Sequence, residues 1–242
     1  MSMIPRICGR ICTKHNWVVT AVVSSILLSV GLSSLVAFGQ EGQPSESDRK
    51  RTLAQAALMV AEKMYKSGQV DRAIVQWREA LEYDPSLVQA HSQLGLVLRD
   101  KGELEEATSH LREVTRLAPQ NATAFADLGD TLRQNEDLEG ALSAYLSALQ
   151  LAPASAPLRS NYGYLLIMNG DLDGAIQAWQ DAVKIDPNYS PPYGNLGEAL
   201  ARKGDMKGAI TAYEQFLEVA PEAPNADQVR GRLAALRATA GE

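Results

Sequence analysis

Between Ala54 and Ala223, apolar residues recur three and four apart, in runs separated by short polar breaks. Leu94, Val97 and Leu98 form one stripe, and Leu104, Ala107 and Leu111 form the next. This spacing predicts amphipathic helices rather than strands. The breaks are themselves periodic. Every second run ends in a short apolar or acidic step followed by proline, at Pro85, Pro119, Pro153, Pro187 and Pro221, each 34 residues from the last. Proline cannot continue a helix, so it closes one unit and turns the chain into the next. A constant period of this length marks an internal repeat.

Placing each proline at position 32 divides the chain into repeats 54–87, 88–121, 122–155, 156–189 and 190–223. Position 20 is then always alanine: Ala73, Ala107, Ala141, Ala175 and Ala209. Position 8 is small (Ala61, Gly95, Gly129, Gly163, Gly197), and position 24 is bulky (Trp77, Leu111, Tyr145, Trp179, Tyr213). Two helices approach closely only where their side chains are small, and the large residues fill the space beside that contact. Trp77 and Trp179 share position 24, which makes them core. Position 15 holds glycine in four repeats, where a left-handed residue ends the first helix. Repeat three has Glu136 there, and the preceding Asn135 is expected to take the left-handed conformation instead.

Period, small positions and proline together resemble the tetratricopeptide repeat, or TPR, over Ala54–Ala223, 170 of 242 residues. The resemblance implies an all-α fold: five antiparallel helix pairs stacked as a right-handed α-solenoid. Position 4 departs from the family's large apolar residue, holding Ala57, His91, Phe125, Arg159 and Tyr193. After Pro224, Val229, Leu233 and Leu236 share one helical face, so 224–242 reads as the polar-backed capping helix that a solenoid end needs. Its Arg230, Arg232 and Arg237 are expected to face water.

The first 39 residues differ in kind. Trp17–Phe38 runs 22 residues without a charge, long enough for an apolar helix to span a bilayer. Arg6, Arg10 and Lys14 precede it, which favours a cytoplasmic N-terminus and a repeat domain across the membrane. Ala37 and Gly39 also suit a signal-peptide cut before Gln40. A retained anchor and a secreted or periplasmic product both fit. Residues 40–53 are polar and read as a flexible linker.

Charge narrows the partners. Beyond residue 40 the chain carries 20 basic and 29 acidic side chains, a balance that repels phosphates and disfavours nucleic acid. Both cysteines, Cys8 and Cys12, lie in the N-terminal segment, so the repeats need no disulfide. His91 sits at a packing position, and His110 lies on a second helix beside Leu111. No catalytic motif, metal spacing or cofactor motif is present, so no enzyme activity and no cofactor are expected.

What remains is a surface. In TPR proteins the first helices line the concave face, chiefly through positions 2, 5, 6, 9, 12 and 13. Positions 2 and 5 contain no lysine here, which argues against the family's clamp for chaperone carboxylates. The candidate peptide-binding residues are Gln93, Arg99, Asp127, Asp130, Arg133, Asn161, Tyr164, Ile167 and Asn195. Asn161 and Asn195, both at position 6, offer amide donors and acceptors to a client backbone. Similar asparagine ladders hold extended peptides in other TPR proteins. The expected function is a scaffold or assembly factor that binds a protein or peptide client outside the cytoplasm. The alternatives are a structural subunit of an envelope complex, assembling through its convex or terminal surfaces, and an assembly factor like those of cytochrome c maturation.

Overall fold

The computed structural model describes residues 44–240. The N-terminal apolar run Trp17–Phe38, the possible cut before Gln40, and Cys8 and Cys12 lie outside them. Among the described residues there are eleven helices and no strand, and no helix is long and apolar enough to cross a membrane. The helices are α1 (Glu46–Lys66), α2 (Val70–Tyr83), α3 (Val88–Lys101), α4 (Leu104–Leu117), α5 (Ala122–Gln134), α6 (Leu138–Leu151), α7 (Ala156–Met168), α8 (Leu172–Ile185), α9 (Pro191–Lys203), α10 (Met206–Val219) and α11 (Ala226–Ala240). Each packs on its neighbours in chain order. The result is a right-handed α-solenoid of five helix pairs, with α11 on the last pair.

The small and large positions meet as their chemistry requires. A Cβ on Gly129 would lie 2.5 Å from the Tyr145 ring, and one on Gly197 would lie 2.6 Å from the Tyr213 ring. Gly95 and Gly163 stand equally tight against Leu111 and Trp179. Trp77 and Trp179 are both buried, at 0% and 3% exposed. The core is a chain of clusters rather than one centre. Trp77, Leu94 and Leu98 join repeats one and two, and Leu111, Tyr145 and Leu165 join two to four. Trp179, Leu196 and Leu200 join four and five, and Phe216, Val229 and Leu233 seat α11.

Two local expectations change. The helix of repeat one starts at Glu46, so residues 46–53 of the expected linker are helical. Ser45 accepts from the Asp48 amide while the Asp48 side chain accepts from the Ser45 amide, a reciprocal cap that starts the helix early. In repeat three, Glu136 itself is left-handed, with φ 62°, while Asn135 stays at φ −83°. The repeat geometry demands the left-handed residue at position 15, where the other four repeats have glycines at φ 77° to 90°. The strain therefore falls on Glu136.

The departures at position 4 also have a structural use. His91 Nε2 lies 3.0 Å from the carbonyl oxygen of Pro85, six residues earlier. Arg159 donates to the Pro153 carbonyl at 3.1 Å, and the Tyr193 hydroxyl donates to the Pro187 carbonyl at 3.1 Å. Three polar residues that look out of place thus tie down the turn that enters their own repeat. Phe125, in repeat three, carries no donor.

The concave ridge as a candidate binding site

The candidate residues stand on the first helices α3, α5, α7 and α9. Four of them converge between repeats three and four. Asn161 on α7 donates to the Tyr145 hydroxyl at 3.2 Å, and that hydroxyl donates to Asp130 Oδ1 on α5 at 2.9 Å. Arg133, one turn further along α5, lies 3.9 Å from Asp130. Its guanidinium also sits 5.9 Å from the centre of the Tyr164 ring, within cation–π range.

Tyr145 links this cluster, yet in sequence it reads only as a bulky packing residue. Its ring fills the space against Gly129 while its hydroxyl reaches the ridge. Burial, then the negative charge of Asp130, pushes its pKa well above the ordinary tyrosine value. The proton therefore stays on the hydroxyl and keeps the chain Asn161–Tyr145–Asp130 directed. One Asn161 N–H is used, leaving the other and the amide oxygen for a ligand. The available signal was a tyrosine in place of tryptophan or leucine at position 24.

Asp127 faces the same ridge and is half-buried. Burial raises its pKa, Arg99 opposes that shift, and Asp130 adds to it. Arg99 itself pairs with the adjacent Asp100 at 3.1 Å. Tyr164 and Met168 are large and open, at 49% and 46% exposed. Asn195 on α9 is exposed, one repeat beyond Asn161. Gln93 is half-buried on α3. Ile167 is half-buried too, and it packs on the core shared by repeats four and five, so less of it is open than of Tyr164.

At the C-terminal end, Arg232 of the capping helix pairs with Glu198, which stands at position 9 of repeat five. Arg232 stays exposed, as expected, while pairing with the ridge, and Arg237 stays exposed while pairing with Glu214. Among the described residues no group of histidine, cysteine and acidic side chains can hold a metal ion. The arrangement offers directed amides, an open aromatic ring and paired charges, which suit recognition of a polypeptide.

Sequence profiles described as TPR repeat match residues 62–99 and 163–204, and profiles described as tetratricopeptide repeat match 93–156 and 190–222. No curated protein matches the chain. Similar solved structures include MamA, 24% identical with a TM-score of 0.65, covering 70% of this chain and 93% of that one. YrrB, described as a TPR protein with an unusual peptide-binding site, is 23% identical with a TM-score of 0.64, covering 77% and 95%. PilF of Pseudomonas aeruginosa is 21% identical with a TM-score of 0.64, covering 78% and 86%. At these identities the likeness is one of fold.

Proposed function

From the premise that the chain belongs to the tetratricopeptide repeat family, we propose that it is an assembly or scaffolding factor that holds an extended client segment along the ridge of repeats three to five. Membership makes it a protein-interaction module. The finer reading rests on one observation: the Asn161 amide is fixed by Tyr145 and Asp130 while it remains exposed. A pre-positioned amide loses little freedom when it binds a backbone. Asn195 repeats the group one helix pair later, and Tyr164 and Met168 offer apolar contact beside it. The peptide-binding site named for YrrB is compatible with this use of the fold.

The domain is proposed to work outside the cytoplasm, tethered or released. The support is the uncharged run Trp17–Phe38 with Arg6, Arg10 and Lys14 before it. A reporter fused after Glu242 is expected to be active only outside the cytoplasm.

The client is to be captured by crosslinking the full chain in membranes and then titrated. Losing both amides, in Asn161→Ala/Asn195→Ala, is expected to weaken binding roughly 5- to 150-fold with the fold intact. Unchanged affinity in a folded double variant would move the site off this ridge.

A further inference from the structure

Two of the three histidines meet inside repeat two. His91 Nδ1 on α3 lies 2.9 Å from His110 Nδ1 on α4, with ring centres 5.1 Å apart. The outer nitrogens are also engaged. His91 Nε2 lies 3.0 Å from the Pro85 carbonyl oxygen, and His110 Nε2 lies 3.6 Å from Glu106 Oε1.

These contacts fix the protons. A carbonyl only accepts, so His91 Nε2 carries a hydrogen, and neutral His91 turns a bare Nδ1 inward. His110 must then donate through its own Nδ1. When His110 is neutral, its Nε2 turns a lone pair towards Glu106. With one added proton it turns an N–H, so one positive charge fits the geometry. A second added proton sets N–H against N–H at 2.9 Å between two adjacent cations, and the bond cannot survive.

The surroundings are mixed in charge. Glu106 and Glu113 on α4 face the pair, and Arg78 reaches over from α2 to grip both Glu106 oxygens at 2.8 and 3.0 Å. Burial, then the charge of His91, holds the His110 pKa below its ordinary value against the pull of Glu106. Among the described residues no group of three or more histidine, cysteine and acidic side chains is placed to hold a metal ion, and the contacts of the pair are those of proton exchange. The web runs from Arg78 in repeat one, through the turn at Pro85, into both helices of repeat two. Repeats three to five contain no histidine.

We propose that the His91–His110 pair is an acid-sensitive latch at the junction of repeats one and two, which opens on double protonation while repeats three to five stay closed. The sign follows from linkage. The 2.9 Å Nδ1–Nδ1 bond accommodates one added proton and not two, so the folded pair takes up the second proton less readily than the unfolded chain does. The latch therefore contributes fully above about pH 6.5 and is lost as the pH falls towards the second folded pKa.

Proton–carbon NMR of the histidine Cε1–Hε1 groups tests this on the full chain in mild detergent, with His15→Gln and His110→Gln to assign the signals. The pair is expected to titrate in two steps about one pH unit or more apart. Backbone signals of repeats one and two should shift with the second step, and those of repeats three to five should not. Independent titration of both rings near pH 6.5, or an equal shift in repeats three to five, would overturn the latch. Between pH 7.5 and 5, wild type should lose about 3 °C more in Tm than His110→Gln, which bonds His91 without taking up a proton. Equal losses would also count against it.

Discussion

The second helices of repeats three, four and five begin on Asp137, Asp171 and Asp205, whereas those of repeats one and two begin on Gln69 and Glu103. The three aspartates accept from the amides of Gly140, Gly174 and Gly208 at 2.8–2.9 Å. The first two helices have no side-chain cap. Gln69 and Glu103 are weaker cap formers than aspartate, and each capping aspartate meets the amide of a glycine. A Cβ on Gly140 or Gly208 would lie 2.5 Å from the capping carboxylate. Repeats one and two carry Arg72 and Glu106 at that position, and Glu106 instead joins Arg78 and His110. One position therefore supports either a local cap, insensitive to the neighbouring repeat, or a web that crosses the repeat boundary and contains titratable groups. Capped repeats carry the proposed ridge, and uncapped ones carry the proposed latch.

The largest test concerns the two tryptophans at position 24. Trp179 donates to the Ser160 carbonyl at 3.0 Å, while the Trp77 Nε1 is buried without a partner. Trp179→Ala is expected to cost about 3–5 kcal/mol in urea unfolding. The sharper comparison uses phenylalanine. Trp179→Phe removes a buried hydrogen bond to the Ser160 carbonyl, whereas Trp77→Phe removes an unpaired donor, so the first should cost about 1 kcal/mol more. Equal costs would mean that the two sites are not chemically distinct.

Gly163→Ala adds a Cβ 2.8 Å from Trp179 Nε1 and should cost about 1–3 kcal/mol. Repeat one already holds Ala61 against Trp77, so the Ala61→Gly variant should gain nothing. Removing one cap, in Asp171→Ala, should cost about 1 kcal/mol. Glu103→Asp should create a cap in repeat two and gain up to about 1 kcal/mol, and no gain there would show that Glu106 keeps the carboxylate from its amide. The smallest effect is favourable. Glu136→Gly relieves the left-handed strain and should stabilise by about 0.5–1 kcal/mol, because glycine also loses more freedom on folding. An unchanged urea midpoint would show that local contacts of Glu136 offset its backbone cost.

The repeat architecture was legible because its determinants lie close together in the chain. Stripes three and four apart, small residues at positions 8 and 20 and proline at position 32 each act within a turn or a helix pair. Thirty-four residues later the same rules act again, so five independent copies agree. The ridge was legible only as a set of positions. That Tyr145 joins Asn161 to Asp130, that His91 meets His110, and that polar residues at position 4 serve the proline carbonyls could not be read from spacing. These contacts join residues 6 to 19 apart through side chains of particular length and direction, after the helices have packed. Periodicity states which face a residue occupies. Only the packed backbone decides which polar atoms on those faces come within 3 Å, and a hydrogen bond is lost over a fraction of an ångström where an apolar contact merely weakens. The sequence alone therefore determined the helices, their order and their buried sides, and the tertiary structure decided the polar web that joins them.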